Sequence, residues 1–249
     1  ETSIAMMAIG ASQAPDKTVA ALGSPVDGWS FKKVEQYALN YLIYTQQSNG
    51  GWGYHHGEMW SDNSNTGYAV LGLMYSQNKF GLTIPENVTN GLNNWIDYIQ
   101  CDENGGSGYE SPCNWVNILK TGNLLYEMAI VGDTSDSIRA MAAISYIENH
   151  WNDANWDPGW MGPGWVEWQW PEFQTTYTMM KGFESMDIKE INVSGTNIDW
   201  YSVVSTAIVN SQNADGSWNY TSWGDELLST EWALLTLEKT VEKPVVDVS

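Results

Sequence analysis

Basic residues are scarce in this chain of 249 residues. It contains 10 Lys and Arg against 30 Asp and Glu, which gives a net charge of −20, and Arg139 is its sole arginine. Because proteins hold nucleic acids and anionic lipids through Lys and Arg, this scarcity excludes both as partners, together with polyanionic substrates. The remaining candidates are neutral glycans, peptides or proteins, apolar ligands, and cations.

Long apolar runs and cysteines are also few. No apolar run approaches the roughly 18 residues of a membrane-spanning helix, so we expect no membrane insertion. Cys101 and Cys113 flank a glycine-rich loop. This spacing predicts a disulfide, with two free thiols as the alternative. A disulfide, few lysines and an acidic charge together favour an extracellular or cell-surface location.

The two ends of the chain suggest a larger parent protein. The chain begins with Glu1, and the apolar residues 3–9 lack the basic flank of a signal peptide. We therefore expect a processed chain, or a piece of a longer one with further domains. Residues 240–249 contain Pro244 and resemble a linker or tail.

Two markers recur along the chain with a period of about 55 residues. The first is a glutamine followed by a glycine-containing turn, at 46–52, 100–109 and 212–218. The second is a threonine that opens an apolar segment. The last four of these threonines, which are 55, 54 and 55 residues apart, are Thr66, Thr121, Thr175 and Thr230. One period seen through two markers indicates a repeat protein.

Each repeat contains two kinds of helical segment. One kind is amphipathic, with apolar residues spaced i, i+3, i+4 and i+7, as at 138–147 and 198–208. The other kind is apolar or small almost all round, as at 69–74 and 232–235, which predicts burial on most sides. The alternation predicts outer helices that shield inner ones, with small residues such as Gly72 permitting close approach. Two predicted outer stripes are Val34, Tyr37, Ala38, Tyr41 and Leu42, and Val88, Leu92, Trp95, Ile96 and Ile99.

The glutamine turns and the helix alternation resemble the squalene cyclase and protein prenyltransferase α/α-toroid superfamily. Residues 46–52 and 212–218 both fit its Q-x-x-x-G-x-W motif. The resemblance implies an all-α fold, an α/α toroid of inner and outer helices around a central cavity. The sequence has five inner and four outer segments where the family has about six of each. We therefore expect a partial ring that forms one domain over 1–249, with residues 12–32 irregular.

The motif residues are expected to be structural. The glutamine can bind orphan backbone groups at the turn, the glycines permit a tight reversal, and the indole packs between repeats. The family's acidic cluster is reduced here to Asp62, which we expect to cap a helix. The family's zinc site and its thioester motif are also missing, because no histidine lies near Cys101 or Cys113 and residues 101–104 lack the required Gly and Gln. We expect no catalytic residues and no cofactor.

A carbohydrate-active enzyme is the alternative hypothesis. Glycosidases use two carboxylates about 5–9.5 Å apart, and their clefts are rich in tryptophan. No spacing selects a pair from the loop acids of this chain, which are Glu58, Asp62, Glu110, Glu167, Glu172, Asp225 and Glu226. A third hypothesis is an apolar ligand in the central cavity.

Metal binding has weak support in the sequence. Adjacent residues His55 and His56 lack the usual two-histidine helical spacing, so we expect a solvated loop and no metal site there. Ca²⁺ held by oxygen ligands, for instance around Asp153 and Asp157, stays open, although no EF-hand pattern accompanies these residues.

Tryptophan is abundant, with 15 Trp against four Phe, and six of them lie within 151–170. This segment replaces the short turn of the third repeat and predicts either a lid or an aromatic platform for a ligand. We hypothesise a secreted or surface-attached, non-catalytic binding or scaffold domain. Its predicted ligand-binding residues are Tyr54, Trp60, Tyr109, Trp160, Trp165, Trp168 and Trp223.

Overall fold

The computed structural model describes residues 1–57, 60–153, 172–220 and 225–239. This part of the chain is mostly helical, with one two-stranded sheet, which agrees with the predicted all-α class. In chain order its elements are α1 (Thr2–Ala11), α2 (Phe31–Thr45), α3 (Asn63–Phe80), α4 (Glu86–Ile99), α5 (Ile118–Ile130), α6 (Ile138–His150), α7 (Phe173–Ser185), β1 (Glu190–Val193), β2 (Thr196–Asp199), α8 (Trp200–Asn210) and α9 (Glu226–Leu237).

The described chain divides into two compact units. The first comprises Glu1–Trp95 with Ile130–Gly132 and contains α1, α2, α3 and most of α4. The second comprises Ile96–Ala129 and the described residues from Asp133 onward, with α5 to α9 and the sheet. A single domain over 1–249 stays a prediction, and the predicted tail at 240–249 lies outside the described residues.

Helices form where both kinds of segment were predicted. The even-numbered helices coincide with the amphipathic segments, and the odd-numbered helices coincide with the apolar ones. Every residue of α5 from Ile118 to Ala129 is buried, and α7 is buried from Phe173 to Glu184 except at Gln174. Helices that bury nearly their whole circumference have no solvated face, so even the charged residues Lys120, Glu127 and Lys181 of these two helices are buried. For α9 the predicted burial on most sides was wrong, because Leu227 and Leu234 are 67% and 46% exposed.

Close approach between α1 and α3 depends on small residues. A Cβ atom added to Gly72 would lie 3.1 Å from both Cα and Cβ of Ser3, and one added to Gly10 would lie 3.0 Å from the ring of Tyr75. Met6 is fully buried in the same unit. The expected role of Gly72 in helix packing is confirmed.

The two predicted stripes have different outcomes. In α4 the buried residues are the predicted five, which are Val88, Leu92, Trp95, Ile96 and Ile99. In α2 the prediction was wrong in part, because Tyr37 and Tyr41 are exposed while Glu35 and Leu39 are buried. The buried face of α2 is therefore rotated about the helix axis from the predicted face. A carboxyl group takes a core position that a pattern based on hydrophobicity assigns to an apolar residue.

A β-hairpin lies at the start of the segment that was predicted as a helix over 198–208. Strands β1 and β2 pair antiparallel, with Val193 opposite Thr196 and a two-residue turn at Ser194 and Gly195. Both turn residues have positive φ angles, 52° and 86°, as this kind of tight hairpin turn requires. Helix α8 therefore begins only at Trp200.

Residues 12–30 contain no helix or strand, which confirms most of the predicted irregular segment. The hydroxyl oxygen of Ser30 accepts a hydrogen bond from the Lys33 N–H at 3.2 Å and begins α2. The predicted disulfide between Cys101 and Cys113 is present. None of the described helices is both long and apolar enough to cross a lipid bilayer.

Candidate functional site

The motif glutamines bind backbone carbonyls. Nε2 of Gln46 donates to Gly50 O at 2.8 Å and to Val88 O, in the first turn of α4, at 2.9 Å. The same pattern recurs one repeat later, where Nε2 of Gln100 donates to Gly105 O and to Arg139 O in α6, both at 2.8 Å. Each amide thus joins its own turn to the next even-numbered helix, as the structural reading of the motif predicted.

The periodic threonines hold the other side of these turns. Oγ1 of Thr66 accepts the N–H of Trp52 at 2.9 Å, and Oγ1 of Thr230 accepts the N–H of Trp218 at 3.1 Å. In the second repeat the corresponding partner of the Thr121 hydroxyl is the N–H of Ser107, at 3.1 Å. The glutamine and the threonine therefore contact the same recurring turn from its two sides, and both stabilise the fold.

Several of the loop acids proposed for glycosidase chemistry cap helices. Asp62 accepts the Asn65 N–H at 2.8 Å and begins α3, as predicted. Glu172 and Asp225 begin α7 and α9 in the same manner. The oxygens of a capping carboxylate accept hydrogen bonds from the N–H groups of the first helical turn, which have no partner within the helix.

Two other acids of that set are exposed. Glu110 lies on the surface, and Glu226 accepts a hydrogen bond from the Ser217 hydroxyl at 3.0 Å. Glu58 and Glu167 lie outside the described residues.

A cavity of about 520 Å³ lies in the first unit, among α1, α2, the start of α3 and the turn that follows α2. Its polar lining includes Thr45, Ser64 and Asn65. Ser64 and Asn65 both donate to the Asp62 carboxylate, so the cap of α3 also fixes one wall of the cavity. Its aromatic lining consists of Tyr41, Trp52, Tyr54, His55, His56 and Tyr68. We refer to this cavity as the α1–α3 pocket.

The charge of the pocket lining is low. Among the described lining residues there is no Lys or Arg, and Glu1 is the one carboxylate. Besides Glu1, the side-chain groups that can hydrogen-bond there include hydroxyls, imidazoles and an amide, which suit a neutral polar ligand. The sole arginine lies in the other unit, where Asp97 and Asp133 accept its hydrogen bonds.

Two of the predicted ligand-binding residues lie together beside this pocket. Tyr54 lines it, and the Trp60 ring is 6.1 Å from the Tyr54 ring between centroids. Tyr109 belongs to the other compact unit, where its ring packs against Trp115, and Lys120 Nζ lies 4.1 Å from the centre of the Trp115 ring. The remaining predicted residues, Trp160, Trp165, Trp168 and Trp223, lie outside the described residues.

Sequence reasoning missed the contributions of the helices to this pocket. The sequence pattern placed Tyr41 in a buried stripe, and it assigned no binding role to Tyr68. A signal existed for Tyr68, because it follows the capping segment 62–65 by one helical turn and therefore shares its end of α3.

The possible metal ligands are engaged in other contacts. Cys101, Glu103 and Cys113 lie close together, but the two sulfur atoms are joined in the disulfide, which leaves no thiolate to bind a metal. The Asp153 carboxylate is 2.5 Å from Nδ1 of His150. Its proposed Ca²⁺ partner Asp157 lies outside the described residues.

A buried carboxyl group joins the two helices that flank the pocket. Glu35 of α2 is fully buried, and the Ser76 hydroxyl of α3 donates to its Oε1 at 2.6 Å. Its Oε2 has no hydrogen-bond partner among the described residues. Burial raises the pKa of Glu35 to about 7, and the hydrogen bond from Ser76 acts against this rise.

No protein-family model matches the sequence, and no curated protein sequence matches it.

Proposed function

We propose that this chain is a secreted or surface-attached, non-catalytic domain that binds a neutral glycan in the α1–α3 pocket. The observation that carries the proposal is the pocket lining. Six aromatic side chains surround a cavity of about 520 Å³ in which Glu1 is the one described carboxylate. Hydrolysis of a glycosidic bond needs two.

The aromatic lining suits a sugar in particular. A pyranose ring presents an apolar face of C–H groups and an edge of hydroxyls. Rings such as those of Tyr54 and Tyr41 offer an apolar face together with a polar group, so they can stack on the first and hydrogen-bond the second. The absence of Lys and Arg from the described lining favours neutral sugars over sulfated or uronic ones.

The extracellular location rests on the disulfide and on the surface charge. One disulfide closes the loop between Cys101 and Cys113, and such bonds persist in oxidising compartments. The net charge of −20 keeps a secreted domain soluble and away from nucleic acids.

The arrangement of the helices belongs to the same proposal. An α/α toroid, open as a partial ring, accounts for the alternation of nearly fully buried helices such as α5 and α7 with half-exposed helices such as α2. It also accounts for the glutamine contacts to the next even-numbered helix, which recur at Gln46 and Gln100. In this arrangement the family's scaffold is kept without its catalytic groups.

Glycan-array binding tests the proposed function. We expect the protein to bind neutral glycans and not their sulfated or uronic counterparts. Tyr54→Ala should weaken binding by about tenfold or more, because it removes a lining ring. Tyr54 is 61% exposed, so its truncation leaves the fold intact. Tyr220→Ala is the matched control, since Tyr220 is 70% exposed and lies in the other unit.

Two results would contradict the proposal. The first is the absence of neutral-glycan binding, or binding that Tyr54→Ala leaves unchanged. The second is release of reducing sugar from the bound glycan, provided that Glu58→Gln or Glu1→Gln abolishes it. That outcome would instead establish the glycosidase alternative.

A further inference from the structure

A row of exposed tyrosines runs along α2. Tyr37, Tyr41 and Tyr44 are 57%, 46% and 68% exposed. Their spacing of four and three residues places them on one face of the helix, over a length of about 10 Å at 1.5 Å per residue. Three large rings in line on an exposed helix face form a continuous aromatic surface, of the kind that marks a recognition site. We call it the tyrosine row.

Rings from outside the helix extend the row at both ends. The Trp29 ring packs on Tyr37 with centroids 4.8 Å apart, and the His56 ring packs on Tyr44 with centroids 4.6 Å apart. Lys33 Nζ lies 3.8 Å from the centre of the Trp29 ring, a cation–π contact that holds this ring in place. The end rings are therefore positioned before any ligand arrives, which lowers the entropic cost of binding.

The tyrosine row is continuous with the α1–α3 pocket. Tyr41 belongs to the row and lines the pocket, and His56 lines the pocket while it packs on the last tyrosine of the row. A ligand seated in the pocket thus meets further rings along α2 in one direction.

The chemistry of the row selects its ligand. Its members are tyrosines with hydroxyl groups, and the amides of Gln36 and Asn40 lie beside them, hydrogen-bonded to each other at 3.0 Å. The aliphatic residues Leu39 and Leu42 of the same helix are buried and are not part of the exposed row. A protein-binding face would present an apolar centre, whereas rings alternating with hydroxyls and amides suit a hydroxylated chain. The acidic net charge opposes an anionic polysaccharide.

We propose that the tyrosine row is an extended subsite that holds successive sugars of a linear, neutral polysaccharide whose first sugars occupy the α1–α3 pocket. The inference rests on the proposed function and adds to it. The pocket alone would recognise a short glycan or a chain end, whereas the row makes affinity depend on chain length.

The test is a chain-length series measured by calorimetry. The probes are β-1,4-linked gluco-, xylo- and manno-oligosaccharides of two to six sugars. For the series that binds, we expect wild-type affinity to rise by about tenfold or more from the shortest to the longest member. Tyr37→Ala should abolish that rise and leave disaccharide binding unchanged, because Tyr37 lies in the row and not in the pocket lining.

Three further variants separate the contribution of the tyrosine row to binding from that of the α1–α3 pocket. Tyr37→Phe should keep most of the gain with length, because it keeps the ring face. Tyr54→Ala should weaken binding at every length, and Tyr220→Ala should change nothing. Circular dichroism of each variant checks the fold, and exposure of the substituted rings predicts wild-type spectra.

The outcomes distinguish the two proposals. If affinity does not depend on length, or if Tyr37→Ala matches wild type at six sugars, the row is not a subsite and the pocket function stands. If no oligosaccharide of these series binds at any length, the row does not hold such a chain and this inference fails, while the glycan array alone decides the pocket function. Binding of a proline-rich peptide that needs Tyr37, without any oligosaccharide binding, would make the row a peptide platform and overturn this inference.

Discussion

The turn at 46–52 and the turn at 212–218 have the same internal contacts but different neighbours. In each, the glutamine Nε2 donates to the carbonyl of the turn glycine, at 2.8 Å for Gln46 and 2.9 Å for Gln212. In each, the indole N–H donates to the carbonyl ten residues earlier, at 2.9 Å for Trp52 and 2.7 Å for Trp218. The first turn also contacts α4 through Gln46 and Gly50, whereas no described helix follows α9 to meet the last turn.

This difference separates two roles of one motif. The glutamine and indole contacts let each turn form from its own residues and the end of the preceding helix, since they span at most ten positions in the chain. The contact from Gln46 to Val88 O spans 42 positions and couples one repeat to the next. The motif thus combines a local turn with a long-range connector, and substitutions can separate the two.

The largest difference is expected for the turn glycines. Both Gly50 and Gly216 have a φ of +90°, but a Cβ on Gly50 would lie 1.7 Å from Gly91 O, whereas a Cβ on Gly216 would meet nothing closer than 4.0 Å. We expect Gly50→Ala to lower the free energy of unfolding by about 3 kcal/mol or more through strain and overlap. Gly216→Ala should cost about 1–2 kcal/mol through the backbone angle alone. Urea denaturation measures both, and equal losses would refute the difference in neighbours.

The next comparison concerns the helices that precede the two turns. Helix α2 meets α3 through the buried Glu35–Ser76 hydrogen bond, while α8 meets α9 through the Tyr201 hydroxyl, which donates to Leu237 O at 2.5 Å. In the folded protein Glu35 has a pKa of about 7, against a usual value of 4.5. Its contribution to stability is therefore fully present below about pH 4.5 and is lost as the pH rises towards 7.

We expect the unfolding free energy of wild type, relative to Glu35→Gln, to fall by up to about 3 kcal/mol between pH 4.5 and 7. Chemical denaturation across that pH range measures this difference. Tyr201→Phe removes the corresponding hydrogen bond of α8. It should lower the free energy of unfolding by an amount that does not vary with pH in the same range. A flat pH profile for the Glu35 comparison would show that this carboxyl group is not buried in the folded protein.

A smaller difference is expected for the glutamines. Gln46→Ala loses hydrogen bonds to its own turn and to Val88 O, and it leaves half-buried carbonyls, so we expect a cost of about 1–2 kcal/mol. Gln212→Ala loses an exposed hydrogen bond to Gly216 O and should cost about 0.5 kcal/mol. Thermal denaturation of the pair checks the order. If Gln212→Ala cost more than Gln46→Ala, the glutamine that couples neighbouring repeats would be the one in the last turn.

The smallest difference is expected for the indoles. Trp52→Phe and Trp218→Phe each remove an N–H whose acceptor, Leu42 O or Ile208 O, is buried. Both should cost about 1–2 kcal/mol, and the two values should agree closely because each contact joins the turn only to the helix that precedes it. Urea denaturation with circular dichroism avoids the change in fluorescence. A clear inequality would mean that the turn itself depends on its neighbours.

The order of the helices could be predicted from the sequence because helical periodicity is a local property. The burial of the stripe from Val88 to Ile99 was predicted correctly, since no polar residue of α4 takes a core position. The stripe in α2 could not be placed this way. A carboxyl group at Glu35 enters the core only because Ser76 of α3 meets it there, and no pattern within α2 encodes that partner.

Only the part of the site that follows the motif turn could be predicted from the sequence. Tyr54 and Trp60 follow the first motif turn, so their position could be inferred from the repeat. The walls from α1 and α3 depend on how three helices pack, which periodicity does not specify. The hairpin at 190–199 is different, because its signal was present. The dipeptide Ser194–Gly195 between alternating apolar residues is a typical hairpin turn, and the apolar stretch that follows it obscured this pattern.

The connectors at Gln46 and Gln100 are uncharged amides bonded to backbone carbonyls. Salt does not screen such a bond, and no proton is gained or lost by it between mild acid and mild base. A chain with a net charge of −20 would hold its repeats together poorly through ion pairs if salinity changed around it. With amides as connectors, repulsion among surface acids can vary with the ionic strength of the medium while the contacts between repeats keep the same strength.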